Sequence, residues 1–335
     1  MVRFTESRLN EIFKSGSGKN ILVYGDLMID RYLWGNVSRI SPEAPVPIIN
    51  IEDEEIRFGG AANVANNLIG LGATPVIVGV IGNDLWGENF RSLLNKNELP
   101  DGGLLVDEGR PTTIKTRIIG NNQHIARVDR EKVNRVGKNL LGTAYNFIHE
   151  NIANISALVI QDYNKGMIVP ESIKQMIELA NTHKKIITVD PKFNNFMDFR
   201  GVTVFKPNKK ETEEALAMRI QSDEDLKTAC NILLKQLSAK SILITRGEEG
   251  MALIEESGEF SLVETRTRNV ADVSGAGDTV IATLTFGLAA GCSIPEAVTL
   301  SNFAAGLVCG EVGVVPVKRD KLIKSILINQ DYFHS

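Results

Sequence analysis

Short apolar runs alternate with amphipathic segments along most of the chain. The apolar runs of strand length are residues 20–24, 76–81, 157–161, 185–189, 202–205 and 241–245. The segments with helical spacing of apolar residues are 3–14, 61–71, 83–95, 138–150, 170–183, 278–290 and 294–309. Strands that are separated by helices indicate a mainly parallel sheet with helices on both faces. The pattern therefore predicts one α/β domain over residues 1–335, without an internal repeat.

Two stretches, residues 31–58 and 111–130, depart from this pattern. The first mixes aromatic and aliphatic residues with polar ones and contains three prolines. In the second, apolar and cationic residues alternate as they do in a strand, and Asn121-Asn122 is typical of a hairpin turn. We expect the two stretches to form a small β-sheet that projects from the main sheet as a lid.

Composition excludes several classes of protein. The chain has 335 residues, of which 43% are hydrophobic, and this is ample for one large domain. Its 37 Lys and Arg residues against 41 Asp and Glu residues give no basic excess for a nucleic-acid partner. The N-terminus has no signal core, and the apolar run near residues 280–292 is shorter than the ~20 residues that span a bilayer. We therefore expect a cytoplasmic protein without membrane or nucleic-acid partners.

The three cysteines give no sign of a disulfide or a metal site. Cys230, Cys292 and Cys309 lie in apolar segments and lack the spacing of metal ligands. We expect them to be buried thiols in a reducing compartment.

The stretch DVSGAGDT at residues 272–279 carries the strongest chemical signal. It follows an extended run, residues 260–269, and opens an apolar helix, so residues 275–277 lie at a helix N-terminus. Unpaired N–H groups and the positive end of the helix dipole there would stabilise a phosphoryl group. Asp278 would repel such a group as a ligand, but it suits a base that takes a proton from an attacking hydroxyl. A glycine-rich turn with Asp278 as a helix N-terminal charge is the alternative, and this short motif alone leaves both open.

The chain resembles the ribokinase-like sugar kinases, the PfkB family, from residue 20 to about residue 324. Besides DVSGAGDTV, the motifs that carry the resemblance are GDLMIDRY (25–32), SRISPEAPVP (38–47), GGAANVANN (59–67), NNQHIARVD (121–129), QDYNKG (161–166), VDPK (189–192) and KPNKKE (206–211). SRISPEAPVP together with QDYNKG resembles the branch of the family that acts on D-glycero-D-manno-heptose 7-phosphate. This resemblance implies ATP-dependent phosphorylation of the C1 hydroxyl of the β-anomer. The 1,7-bisphosphate would then feed ADP-heptose and lipopolysaccharide core synthesis.

The resemblance also implies the residues of the site. The sugar hydroxyls would be held by Asp26, Asp30, Gly59, Gly60 and Asn63. The cations that could grip the phosphate of the sugar are Arg39, Arg117, Arg127, Lys165 and Lys192. Lys165, just past a strand end, is the best single candidate of these. ATP and Mg²⁺ would be bound by Asn208, Glu211, Thr245, Gly247, Ser274 and Asn302. Glu211 would lie near the metal, and the amides of Gly275, Ala276 and Gly277 would stabilise the transferring charge beside the base Asp278.

Several alternatives stay open on the sequence. Asp26 and Asp30 could be solvated loop carboxylates, and Glu211 could be a first-turn helix charge. A kinase of the same fold could act on fructose 1-phosphate or ribose, or the chain could be an inactive sugar-phosphate-binding regulator. The resemblance implies a homodimer formed through the lid. The four histidines do not form the HxGH motif of the adenylyltransferase domain that is fused to many such kinases, so we expect the second activity in another protein.

Overall fold

The computed structural model describes residues 2–121, 123–265 and 272–329. The strands found in these residues are β1 (Asn20–Gly25), β2 (Leu27–Ile40), β3 (Pro47–Gly60), β4 (Thr74–Gly82), β5 (Leu104–Asp107), β6 (Ile114–Gly120), β7 (Gln123–Arg130), β8 (Ala157–Gln161), β9 (Ile186–Asp190), β10 (Val204–Phe205), β11 (Ser241–Thr245), β12 (Met251–Glu255) and β13 (Phe260–Val263). The helices are α1 (Glu6–Gly16), α2 (Ala61–Leu71), α3 (Leu85–Lys96), α4 (Lys138–Asn151), α5 (Pro170–Thr182), α6 (Lys209–Leu216), α7 (Asp223–Leu237), α8 (Ala276–Ala289), α9 (Ile294–Cys309) and α10 (Arg319–Asn329).

The main sheet has nine strands in the order β13-β12-β11-β10-β9-β8-β1-β4-β5. Neighbours from β11 to β5 are parallel, and β12 and β13 add an antiparallel edge. Along β1, Ile21 and Val23 belong to one apolar cluster, and Leu22 and Tyr24 belong to another. Because successive side chains of a strand point to opposite faces, the two clusters lie on the two faces of the sheet. The predicted α/β fold with helices on both faces is therefore confirmed.

Local side-chain bonds decide where the helices begin and end. The side chain of Thr5 accepts the N–H of Arg8, so α1 begins at residue 6 and not at residue 3. Asp84 caps α3 in the same way, which moves its start from residue 83 to residue 85. Gly72, with φ of +96°, ends α2 at the predicted position because glycine adopts the left-handed conformation without strain.

Four strands form the lid, in the order β3-β2-β6-β7. The antiparallel pair of β2 and β3 runs from Leu27 opposite Gly60 to Ile40 opposite Pro47, so the lid sheet extends inward beyond the predicted segment 31–58. Strand β6 pairs parallel with β2. It pairs antiparallel with β7, as the expected hairpin requires. Asn121 has a φ of +52°, and Asn122 lies outside the described residues. The lid as a surface for a homodimer stays a prediction.

Some elements differ from the prediction. Strand β10 has two residues where residues 202–205 were predicted, and β5 and α10 were not predicted at all. β5 has only four residues at the edge of the sheet, and its apolar run is too short to be distinctive. The predicted extended run 260–269 is a strand to Val263, and residues 266–269 lie outside the described part of the chain. Cys230 and Cys292 are buried, whereas Cys309 is only half-buried. Within the described ranges, no helix combines the length and apolar character that a membrane crossing needs.

Candidate active site

The carboxyl ends of β1, β8, β9 and β10 meet at the N-terminus of α8. The backbones of Gly25, Gln161 and Asp190 are neighbours across three parallel strands. The polar side chains that are at most 7% exposed at this edge are Asp26, Gln161, Asp190, Lys206 and Asp278. Polar groups in such numbers are buried only with hydrogen-bond partners, and the crevice outside the carboxyl edge is where α/β sheets bind ligands.

Asp278 lies inside the first turn of α8, because the helix begins at Ala276 and not at residue 278 as predicted. Its Oδ2 accepts a hydrogen bond from Asn63 Nδ2 at 2.8 Å. Its Oδ1 accepts hydrogen bonds from Tyr163 Oη at 2.7 Å and from Gln161 Nε2 at 3.1 Å. Asn63, which the resemblance places among the sugar ligands, thus contacts the predicted base from the first turn of α2.

The protonation state of Asp278 follows from this environment. Burial raises the pKa of Asp278 to about 7, and the negative charge of Asp190 adds to this effect. The hydrogen bonds from Asn63 and Tyr163 and the charge of Lys206 act in the opposite direction. A carboxylate that titrates near neutral pH is suited to accept a proton from a hydroxyl.

This titration predicts the pH dependence of the reaction. Because only ionised Asp278 can accept a proton, kcat/KM should rise with pH below about 7 and level off above it. The raised pKa moves the rising limb upward from the ordinary acidic range of aspartate, which is near ~4. Initial rates between roughly pH 5.5 and 9 test this, with circular dichroism at each pH to check folding. A profile that stays flat below neutral pH would contradict it.

The loop that precedes Asp278 leaves no room for side chains at its first glycine. Gly275 has a φ of +78°, and a Cβ there would lie 2.9 Å from Asn63 Nδ2 and 3.1 Å from Val314. A Cβ at Gly277 would lie 3.7 Å from Asp190 Oδ2 and 3.8 Å from Lys206 Nζ. The residues of the anion loop (Gly275, Ala276 and Gly277) therefore adjoin both the base and a buried ion pair.

The buried ion pair joins Lys206 Nζ to Asp190 Oδ2 at 3.0 Å. Gln161 Nε2 donates to Asp190 at 3.2 Å as well as to Asp278, so one amide links the ion pair to the base. Gln161, Tyr163, Asp190 and Lys206 were not predicted as site residues. Each one lies at or within two residues of the end of a predicted strand, which is the signal that favoured Lys165 among the cations and could have found them.

The motif KPNKKE forms the start of α6. Asn208 Oδ1 accepts the N–H of Glu211 at 2.8 Å, and Glu211 Oε2 accepts the N–H of Asn208 at 2.9 Å, which is a capping box. Glu211 Oε1 also pairs with Lys192, whose ammonium lies 5.7 Å from the ring centre of Tyr163. Lys192 thus lies between α6 and Tyr163, the residue that contacts the base. Glu211 is therefore a charge in the first turn of a helix, as the alternative interpretation has it. Its carboxylate also contacts Lys192 in the crevice.

The other predicted nucleotide ligands lie in three places: Thr245 ends β11 and Gly247 follows it, Ser274 precedes the anion loop, and Asn302 lies in α9. Thr245 forms a backbone bridge with Asn208, and Gly247, with φ of +61°, follows in an exposed turn. Ser274 N–H donates to Asp272 Oδ1 at 2.9 Å. Asn302 Nδ2 donates to the carbonyl of Glu264 at 2.8 Å, whereas its Oδ1 is buried without a hydrogen-bond partner among the described residues.

The predicted sugar ligands divide into two kinds. Asp26 is turned toward the protein: its carboxylate accepts three backbone N–H groups from residues 163–167. Asp30 lies within β2 and is not in a loop, and it pairs with Arg117. A Cβ at Gly59 would lie 2.5 Å from Asp30 Oδ2, and one at Gly60 would lie 2.6 Å from the carbonyl of Asp26. The two glycines therefore allow the end of β3 to approach the carboxylate of Asp30 and the backbone of Asp26.

The predicted phosphate-binding cations do not lie together. Arg117, His124 and Arg127 line a cleft of about 380 Å³ between the lid and the residues before the anion loop, and Asp272 and Ser274 line its other side. Lys165 Nζ instead forms an ion pair with Glu131 Oε1 at 2.7 Å, and Arg39 is exposed in β2. Of the five cations, the structure therefore brings only Arg117 and Arg127 to one cleft.

Comparisons with known proteins agree with this geometry. The model of the pfkB family carbohydrate kinases matches residues 19–320. The chain is 41% identical over 314 residues to the bifunctional protein HldE of Helicobacter pylori (strain ATCC 700392 / 26695), with coverage of 94% of this chain and 68% of that protein. HldE of Paramagnetospirillum magneticum is 38% identical over 320 residues, with coverage of 96% and 66%. The chain thus spans about two thirds of the length of these bifunctional relatives.

Solved structures show the same fold at low identity. Phosphofructokinase-2 from Escherichia coli in complex with potassium has a TM-score of 0.75 at 18% identity, covering 93% of this chain and 99% of that chain. Arabidopsis thaliana ribokinase complexed with ribose and ATP has a TM-score of 0.71 at 17% identity, covering 92% and 99%.

Proposed function

The chain belongs to the pfkB family of carbohydrate kinases, and from this premise we propose that it phosphorylates D-glycero-β-D-manno-heptose 7-phosphate at C1 with ATP. The observation that carries the reaction type is a buried carboxylate, Asp278, in the first turn of a helix whose N-terminal loop adjoins it. The choice of sugar rests on the motifs SRISPEAPVP and QDYNKG and on the cation-lined cleft. The product is the 1,7-bisphosphate, an intermediate for ADP-heptose and lipopolysaccharide core synthesis.

Asp278 acts as the base in this proposal. It takes the proton of the C1 hydroxyl while the hydroxyl oxygen attacks the terminal phosphorus of ATP in line. The bond from that phosphorus to the bridging oxygen breaks, and ADP leaves with the electron pair. The N–H groups of the anion loop and the positive end of α8 stabilise the charge that develops on the phosphoryl oxygens. Closure of the lid excludes water, so that ATP is not simply hydrolysed.

ATP would lie between the anion loop, α6 and α9. Asn208, Glu211, Thr245 and Gly247 are the residues that face its phosphates, and the unpartnered Oδ1 of Asn302 suits a donor such as the amino group of the base. The described residues contain no cluster of three or more potential metal ligands. This donor set fits Mg²⁺, which binds through one carboxylate, here Glu211, with nucleotide phosphates and water. When bound, the ion neutralises charge on the phosphate oxygens.

The phosphate of the sugar would lie against the lid in the cleft that Arg117 and Arg127 line. Both cations lie opposite each other in the register of β6 and β7, so both can contact one phosphate. An arginine binds phosphate oxygens through two N–H groups at once. Lys165 was the best single candidate on the sequence, but it does not line this cleft. All three cations have a carboxylate partner: Lys165 pairs with Glu131, Arg117 with Asp30 and Arg127 with Asp129. Asp30, which pairs with Arg117, would then hold hydroxyls of the same sugar.

A substrate panel tests the proposed function. ADP release is measured with heptose 7-phosphate, fructose 1-phosphate, fructose 6-phosphate and ribose, and ³¹P NMR identifies the phosphorylated position. We expect the largest kcat/KM with heptose 7-phosphate and a new phosphate at C1. A larger kcat/KM with another sugar would support the alternative kinase, and absence of turnover with every sugar would support the inactive regulator.

A charge-neutral variant of the lid tests the phosphate site. Arg127→Met should raise KM for the sugar phosphate by about 10- to 100-fold, because a charge-assisted contact with phosphate is lost. KM for ATP should stay within about twofold, since no residue of α6 lines the cleft. Arg130→Met, which removes another exposed arginine of β7, is the matched control. Equal effects of the two substitutions, or an equal rise in both KM values, would remove Arg127 from this role.

A further inference from the structure

The loop between β8 and α5 is held by two buried carboxylates. Asp26 accepts N–H groups from Tyr163 at 2.8 Å, from Lys165 at 3.1 Å and from Met167 at 3.1 Å. Asp162 accepts the N–H of Asn164 at 2.7 Å and a side-chain hydrogen bond from Asn195 at 3.0 Å. A carboxylate that bonds several backbone N–H groups fixes their positions strongly, because charge-assisted hydrogen bonds are shorter and stronger than neutral ones. We call residues 162–167 the tyrosine loop.

The tyrosine loop presents one hydroxyl to the base. Tyr163 Oη donates to Asp278 Oδ1 at 2.7 Å, and the ring lies against the ammonium of Lys192. Burial and the neighbouring charge of Asp278 raise the pKa of Tyr163 well above its usual range. The hydroxyl therefore stays protonated and remains a donor in the neutral range in which Asp278 ionises.

The hydrogen bonds of Asp278 are distributed unequally between its two oxygens. Oδ1 accepts hydrogen bonds from both Tyr163 and Gln161, and these fill the two acceptor positions of a carboxylate oxygen. Within the described part of the chain, Oδ2 accepts a hydrogen bond only from Asn63, which leaves one acceptor position. The sugar hydroxyl can therefore donate to Oδ2, and the rotation of the carboxylate is fixed by the two donors on Oδ1.

We infer that Tyr163 is a positioning residue. It selects Oδ2 of Asp278 as the proton acceptor and sets the pH at which the base ionises. Asp26 in turn places Tyr163, because it holds the backbone of the tyrosine loop. The inference rests on the proposed role of Asp278 in the kinase reaction. It gives Asp26 a task other than binding sugar hydroxyls. The other charged groups that face Asp278 are Asp190 at the end of β9, Lys206 after β10 and Lys192 after β9.

Tyr163→Phe tests the inference without changing the ring that packs against Lys192. Loss of one donor to the ionised carboxylate should raise the pKa of Asp278 by about one unit. The carboxyl is observed in the free enzyme by ¹³C NMR of labelled aspartate, with the signal assigned by its absence in Asp278→Asn. With the shift, kcat/KM should fall about tenfold at pH 6 and stay within about twofold at pH 9. Tyr145→Phe, on α4, is the control and should change neither quantity.

Asp26→Asn tests the second half of the inference. An amide cannot accept the three N–H groups as a carboxylate does, so the tyrosine loop should lose its position and kcat should fall at every pH. Alkaline recovery of kcat in Asp26→Asn would overturn the role of Asp26. An unchanged carboxyl titration in Tyr163→Phe would overturn the role of Tyr163, whether or not Asp26→Asn folds. A shifted titration in a protein that phosphorylates no sugar would support the effect of Tyr163 on the ionisation of Asp278 but would overturn both the proposed function and the role of Oδ2 as proton acceptor.

Discussion

Asp278→Asn should lower kcat by about a thousandfold, the middle of the range for loss of a general base. An amide cannot take a proton from the sugar hydroxyl at neutral pH. It also places an NH₂ group against donors, because Asn63, Gln161 and Tyr163 all donate to this side chain. The anion loop and the cation-lined cleft remain, so binding of the sugar phosphate should change by less than about tenfold.

The same substitution should reduce the pH dependence of stability. The pKa of Asp278 is about 7 in the folded protein, which lies above its value near ~4 in an unfolded chain. The ionised carboxyl therefore disfavours the folded state as pH rises from about 4, and this cost is complete above about 7. Asparagine does not ionise, so the fall in Tm between about pH 5 and pH 8 should be smaller in Asp278→Asn than in the parent protein.

Steady-state kinetics and calorimetric titration with the sugar phosphate measure the two effects of Asp278→Asn separately. A kcat within about tenfold of the parent value would remove Asp278 from the role of base. A large loss of sugar binding at unchanged Tm would instead place its main contribution in the ground state.

Lys206→Met should give the largest loss of stability, about 3–5 kcal/mol in the free energy of unfolding. Lys206 is 3% exposed and pairs with Asp190 at the carboxyl edge of the sheet. Methionine has a similar length but no charge, so Asp190 would remain buried without its cation. Next to Asp278 this uncompensated charge would also oppose ionisation of the base, because like charges raise the pKa of a carboxyl.

Two further variants separate loss of the charge pair from loss of side-chain packing. Lys321→Met breaks an exposed ion pair with Glu311 by the same substitution and should cost less than about 1 kcal/mol. The double variant Lys206→Met, Asp190→Asn removes both charges and should recover much of the lost stability. Denaturant unfolding measures all three. Equal losses for Lys206→Met and Lys321→Met, or no recovery in the double variant, would contradict the role of the buried pair.

The candidate base and the anion loop were predictable because they lie within eight consecutive residues. Helix termini, glycines that need a left-handed backbone, and a carboxylate beside them are all local features. Tyr163, Gln161 and Lys206 were not predictable in the same way. The first two contact Asp278 from the end of β8, and Lys206 contacts Asp190 from the end of β10. Their distance from residue 278 along the chain hides that contact.

Local sequence patterns were enough to predict the α/β alternation, the lid and the helix N-terminus beside Asp278, because periodicity and helix termini depend on neighbouring residues. Only the tertiary structure decided which charges neutralise one another: Lys165 with Glu131, Lys192 with Glu211, and Lys206 with Asp190. Ion pairing depends on distances of a few ångströms between elements far apart in the chain. The same distances turned Asp26 toward the tyrosine loop and left Arg117 and Arg127 together in one cleft.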